Sequence, residues 1–204
     1  MEWCTIESDP AVFSELLEKI GVPNVGVEEV FDLDDREYLR TLGQIYGFIF
    51  LFRFTKQTEQ RACLTQFDSD LFYAKQVITN ACGTQALLSV ALNIPNIKLG
   101  TELAQFKEFC GALAPEDRGM VLGELDIVRS NHNSFARPEQ FAVHQTRKAK
   151  DGDDVFHFIA YVPFKKQVYE LDGLQSGPIL LGEETSEQGW IDIAAQEIQK
   201  RMKQ

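Results

Sequence analysis

The run VFHFIAYVP, from Val155 to Pro163, is apolar throughout except for one histidine, and it constrains the fold more than any other stretch. It is too short to cross a bilayer as a helix, and its uninterrupted apolar character is that of a strand buried on both faces. QVYELDG follows after Phe164, Lys165 and Lys166, so the two segments read as an antiparallel hairpin ending at Asp172. A two-residue loop at Phe164 and Lys165 sets His157 directly across the ladder from Asp172, and opposed residues share one side of a sheet. A longer loop shifts that register by a residue or two. A second aromatic run, GFIFLFRF from Gly47 to Phe54, predicts another central strand.

The stretch QVITNACGTQALLSVALN, from Gln76 to Asn93, carries the chemistry. Asn80 is placed to cap a helix whose apolar residues, Ala86 to Leu92, run out before Pro95. Cys82 then lies in the first turn. Free N–H groups and the positive end of the helix dipole converge there and favour thiolate over thiol. Two readings of each polar residue stay open on position alone. Cys82 is either a small core residue or a nucleophile, and His157 is either a satisfied core histidine or a base. Taken together, Cys82, His157 and Asp172 form the parts of a thiol acyl-transfer enzyme in the order Cys, His, Asp.

QVITNACGTQA, DVFHFIAYVP and YELDG resemble the three signature blocks of the ubiquitin carboxyl-terminal hydrolases, a family of cysteine deubiquitinases. The segments EWCTIESDPAVFSELLEKIGV, GFIFLFRF and HNSFAR also resemble this family, and most of all its proteasome-associated member. The resemblance implies Cys82 as nucleophile, His157 as general base and acid, Asp172 as the residue orienting the imidazole, and Gln76 as an oxyanion donor. It implies no cofactor and no metal. It also places Glu7 and Glu29 where relatives set acidic side chains against basic groups of ubiquitin, although each is equally readable as a solvated charge. The implied fold is α/β (α+β), papain-like, with a central, mostly antiparallel sheet flanked by helices. Residues 1–204 are expected to form a single catalytic domain, with residues 130–154 as a crossover loop over the active site. Members of the family continue into one more strand, and the proteasome-associated one adds a helical docking extension. The sequence is expected to lack both, so a proteasome contact would belong to an extension outside these residues.

The function implied is hydrolysis of ester, thioester or isopeptide bonds after the C-terminal glycine of ubiquitin. Alternatives on the same residues are a ubiquitin-binding module with a latent or misaligned triad, and another Cys-His-Asp acyltransferase. A formal net charge of −11 argues against a nucleic-acid partner and suits a basic protein partner. Cys4, Cys63, Cys82 and Cys110 are scattered, without zinc-ligand spacing. No signal peptide or membrane-length apolar run is present, which points to the cytoplasm or nucleus and to no membrane partner.

Elsewhere, Ser8, Asp9 and Pro10 predict a helix start and Gly21 its stop. A short strand is expected over Val25–Phe31, and a short helix packing Leu39 and Leu42. A further strand is expected over Arg61–Phe67. One helix capped by Thr101 is expected to run from Glu102 to Cys110, with Cys110 in the core, and another from Pro115 to about Val128. Ser130 to Asp154 reads as an irregular segment in which His132 and His144 are solvated. A strand after Asp172 and an amphipathic helix from Ser186 onward, carrying Trp190, Ile193, Ala194, Ile198 and Met202, complete the expectation.

Overall fold

A computed structural model describes residues 3–54, 61–136, 155–184 and 189–203. Among these residues one antiparallel sheet of four strands, in the order β1-β2-β3-β4, is surrounded by helices. The strands are β1 (Phe48–Phe54), β2 (Val155–Phe164), β3 (Gln167–Leu171) and β4 (Ile179–Glu183). The helices are α1 (Pro10–Lys19), α2 (Arg36–Thr41), α3 (Cys82–Ala91), α4 (Thr101–Cys110), α5 (Pro115–Glu124), α6 (Asp126–Ser134) and α7 (Gly189–Met202).

VFHFIAYVP became β2, inside the sheet with both faces covered, whereas GFIFLFRF, expected to be central, is β1 at the edge of the sheet among the described residues. On one face Phe48, Ile159, Tyr161 and Val168 pack against Leu39 of α2 and Trp190, Ile191, Ala194 and Ile198 of α7. On the other, Ala160, Val162, Tyr169 and Leu171 meet Ala86 of α3 together with Leu71 and Tyr73. The predicted two-sided arrangement is therefore what forms. A third cluster, built on Leu16, Ile20, Leu88, Leu92, Leu103 and Cys110, joins α1, α3 and α4, and Cys110 is fully buried as expected.

Asp9 caps α1 through the N–H groups of Ala11 and Val12, and Gly21 ends it at φ +94°. Val25–Phe31 is not a strand. Its Val27 N–H donates to Ser14 Oγ of α1, so the segment lies along a helix rather than beside a ladder. Arg61–Phe67 is likewise irregular, joined by Leu64 N–H to the Pro178 carbonyl. The expected single helix after Pro115 is two helices, because Leu125 takes an extended conformation (ψ 101°) after the helix-weakening Gly119 and Gly123. The second of them, α6, runs on to Ser134, so the segment read as irregular from Ser130 begins as a helix. The rest of that segment from residue 137, His144 included, lies outside the described residues, as do residues 185–188 before α7.

Candidate active site

The hairpin loop is two residues long, as anticipated, but it is formed by Lys165 and Lys166. Both take left-handed conformations (φ 46° and 65°), the requirement of the turn type whose twist matches a hairpin. Lys165 Nζ also bridges Asp68 and Asp70 at 2.7 and 2.8 Å, anchoring the turn. The ladder therefore pairs Phe164 with Gln167 and Ala160 with Leu171. Extending that register would set Asp172 opposite Ile159, not opposite His157. The pair the sequence placed face to face is instead a diagonal one, two residues off register on the same side.

The diagonal still closes. His157 Nε2 lies 2.6 Å from Asp172 Oδ1, with the two residues 3% and 1% exposed. Asp172 itself sits just past the end of β3. Its Oδ1 accepts from the Leu174 N–H at 2.9 Å, its Oδ2 from Gln175 Nε2 at 3.4 Å, and its carbonyl from the Tyr73 hydroxyl at 2.9 Å. On the far side, Phe52, paired with His157 in the β1–β2 ladder, sets its ring edge-on to the imidazole at 5.8 Å. Every edge of the His157–Asp172 unit is thus held.

Cys82 is the first residue of α3, half-buried, with Ala81 as the N-cap. Asn80 does not cap the helix. It adopts φ +68°, which asparagine tolerates, and its side chain donates to the Trp3 carbonyl at 3.1 Å. The helix therefore starts with no side-chain acceptor on its first N–H groups. That leaves the Cys82 surroundings more electropositive than a capped end would be. Burial would raise the thiol pKa, but hydrogen bonds from His157 and from the backbone N–H groups of Phe158 and Gly83 bring it below its ordinary value. Because Asp172 occupies Nε2, Nδ1 is the ring nitrogen left for the sulfur.

Burial would lower the pKa of His157, yet Asp172 and then Cys82 raise it to about 9. Burial opposes ionisation of Asp172 as well, and the bond from His157 more than offsets it, holding the carboxyl below its usual range. Each of the three shifts favours the charged form of its group. Together they favour thiolate, imidazolium and carboxylate over the neutral forms.

Gln76 reaches this cluster on the extended segment before α3. Its N–H donates to the Gly173 carbonyl at 2.8 Å, next to Asp172. That approach requires glycine at 173, since a Cβ there would fall 2.4 Å from Gln85 Nε2 and 3.0 Å from the Gln76 nitrogen. The Gln76 side-chain amide donates one N–H to the Ile78 carbonyl at 3.2 Å and has a second to offer. All four residues named from the sequence thus converge on one place.

Glu7 and Glu29 are exposed. Glu29 borders a groove of about 490 Å³ lined also by Ser8, Asp9, Tyr46 and Phe48, and none of the four convergent residues lines that groove. His132 is a correction: it is not solvated but fully buried. Its Nδ1 lies 2.7 Å from Thr84 Oγ1 in the first turn of α3, its Nε2 lies 2.6 Å from the Cys4 carbonyl, and Trp3 covers the ring at 4.7 Å. Burial lowers its pKa, against the hydrogen bond to Cys4. The signal available was the i,i+4 spacing of Val128 and His132, which puts both on one face of α6. Among the described residues no group of His, Cys, Asp and Glu could hold a metal, and no helix is long and apolar enough to cross a membrane.

The sequence profile of ubiquitin carboxyl-terminal hydrolase, family 1, matches residues 3–203. A Dictyostelium discoideum ubiquitin carboxyl-terminal hydrolase isozyme L5 is 47% identical over 200 residues, covering 98% of this chain and 57% of its own length. Ubiquitin carboxyl-terminal hydrolase 2 of Schizosaccharomyces pombe is 46% identical over 205 residues, covering 99% and 68%. This chain therefore spans about three fifths to two thirds of these relatives. Among solved structures, the Trichinella spiralis UCH37 catalytic domain bound to ubiquitin vinyl methyl ester superposes with a TM-score of 0.84 at 37% identity, over 100% of this chain and 89% of that one.

Proposed function

From the premise that this chain belongs to the ubiquitin carboxyl-terminal hydrolase family, we propose that it is a thiol-dependent deubiquitinase acting at the C-terminal glycine of ubiquitin. The observation that carries the proposal is the convergence of Cys82, His157, Asp172 and Gln76, with the Cys82 pKa lowered and that of His157 raised to about 9.

In the proposed reaction the Cys82 thiolate attacks the carbonyl carbon of the terminal glycine, forming a C–S bond. The developing oxyanion is met by the Gln76 amide and by the N–H of Cys82 at the start of α3. As the carbon–nitrogen bond breaks, the His157 imidazolium passes its proton to the leaving amine. Neutral His157 then takes a proton from water, whose oxygen attacks the thioester carbonyl, and the thiolate is released. Asp172 holds the tautomer with the proton on Nε2 and stabilises the imidazolium before and after each transfer.

Ubiquitin is the proposed substrate partner, with Glu7 and Glu29 as proposed contacts to its basic groups. A proteasome partner, supported by the resemblance to the proteasome-associated member, and a cytoplasmic or nuclear location are also proposals. The test is hydrolysis of ubiquitin carrying a fluorogenic C-terminal amide. Wild-type protein should turn over, and Cys82→Ala should bind ubiquitin equally well without turnover. Equal rates in the two proteins would remove Cys82 from the mechanism.

A further inference from the structure

Arg118 is the one buried cation whose hydrogen-bond acceptors, among the described residues, are all backbone carbonyls. It lies in α5 at 4% exposure. Its Nε donates to the carbonyls of Cys110 and Leu113, both at 3.0 Å. Its Nη1 donates to Leu71 at 3.0 Å and Tyr73 at 3.4 Å, and its Nη2 to Gly111 at 3.3 Å and Ser69 at 3.5 Å. The guanidinium also stands over the Phe72 ring at 5.8 Å. A buried charge without a carboxylate is costly, and such a group is retained where its many donors fix something. What these donors join is the α4–α5 turn to the segment Ser69–Tyr73, which leads directly to Gln76.

Three further contacts define the rest of that segment. Lys75 N–H donates to the Pro115 carbonyl at the start of α5, at 2.9 Å. Gln85 of α3 donates to the Ala74 carbonyl at 2.7 Å. α5 comes so near that a Cβ on Gly119 would lie 2.0 Å from the Lys75 carbonyl oxygen. One residue on, Gln76 is bonded to Gly173, and the Tyr73 hydroxyl bonds the Asp172 and Gln175 carbonyls. The residues from Ser69 to Gln76 are therefore a strap between α5 and the Asp172 turn. Arg118 fastens its outer end.

We infer that Arg118, with Gly119, is a positioning residue for the oxyanion donor: it sets where the Gln76 amide stands without touching substrate. The inference rests on the deubiquitinase reading above for its kinetic consequence, but not for its structural one. In sequence Arg118 looks like a solvated charge beside Glu116 and Asp117, and only its i,i+4 relation to buried Leu122 hinted otherwise.

The test pairs Arg118→Lys with Gln76→Ala, singly and together. Lysine keeps the charge, but one ammonium with three donors cannot span carbonyls that the guanidinium fork reaches from three nitrogens. Turnover is measured per site titrated with ubiquitin vinyl methyl ester, so that unfolded molecules are not counted. Arg118→Lys should lower kcat about tenfold, a fraction of the roughly 10²–10³ a full oxyanion donor supplies, with KM within twofold. Alkylation of Cys82 by iodoacetamide should be unchanged. The double variant should match Gln76→Ala alone, because Arg118 acts through that amide. Independently of activity, hydrogen exchange at the Lys75 and Gln76 amides should quicken relative to α3.

Unchanged kcat, losses that multiply in the double variant, or unchanged exchange would each overturn the inference. Should Arg118→Lys not fold, Gly119→Ala takes its place with the same expectations, pressing its methyl on Lys75. An inactive wild type would refute the deubiquitinase reading instead, and the exchange measurement would still decide the strap.

Discussion

Replacing Asp172 by asparagine separates charge from shape at the centre of the site. Asparagine fits the same space, and its oxygen can still accept from His157 Nε2 and from the Leu174 N–H. What disappears is the negative charge, which strengthens the Asp172 hydrogen bond that leads the causes raising the His157 pKa and adds its own attraction to it. The difference between 6.5 and about 9 favours the buried imidazolium by about 3 kcal/mol. If Asp172 supplies the larger share, roughly 2 kcal/mol, the variant populates thiolate–imidazolium about 10- to 100-fold less at neutral pH. The assay is the rate of Cys82 alkylation by iodoacetamide from pH 5 to 10, read by intact mass and corrected with Cys82→Ala for labelling at Cys4 and Cys63. In wild type the thiol is held below its ordinary pKa and the imidazolium persists to about 9, so the rate should reach its plateau at lower pH than that of a free thiol. In the variant it should be 10- to 100-fold lower at pH 7 and climb steadily with pH as the thiol ionises without help. The wild-type profile and rate in Asp172→Asn would refute the reasoning and reduce Asp172 to a turn residue.

Three other perturbations have outcomes fixed by the geometry. Glu170 is fully buried between Arg201, which it meets through two nitrogens, and Arg61 at 3.2 Å; Glu170→Gln leaves the half-buried Arg201 without its carboxylate while Arg61 keeps Glu197 at 2.6 Å, and should cost about 1.5–3 kcal/mol in urea unfolding, and a loss below about 0.5 kcal/mol would contradict this. His132→Phe strands the Thr84 hydroxyl and the Cys4 carbonyl and should cost about 2–4 kcal/mol. Because burial lowers the His132 pKa, the wild-type fold loses stability to this group as pH falls below 6.5, and that share of the pH dependence should vanish in the variant. His157 acts oppositely: its raised pKa stabilises the fold fully below 6.5, a contribution lost as pH rises through about 9, so His157→Ala should flatten urea midpoints between pH 7 and 9.

β2 was legible because VFHFIAYVP is almost wholly apolar, and GFIFLFRF was legible as a strand but not in its place, since β1 lies at the edge of the sheet among the described residues and not at its centre. α1 was legible because Asp9, Pro10 and Gly21 punctuate it. The convergence of His157 and Asp172 was legible in kind but not in register. The residues at positive φ are Lys165 and Lys166, and Lys165 reaches Asp68 and Asp70, nearly a hundred residues away in the chain and invisible to local pattern. Asn80 misled for a similar reason, since its side chain serves Trp3 instead of the helix beside it. The apolar segment at Val25–Phe31 has strand composition, yet only β2 lies along β1 among the described residues, and its partner became Ser14 of α1. His132 and Arg118 were missed because charge and polarity mark a surface in sequence. In the fold, each is buried among polar partners brought together from distant segments.

The measurement that tests the central claim most directly is intact mass after incubation with ubiquitin vinyl methyl ester, on wild type and on Cys82→Ala. Addition of one ubiquitin to the wild type, and none to the variant, is the predicted result; modification of both proteins equally, or of neither while both are folded, would contradict it.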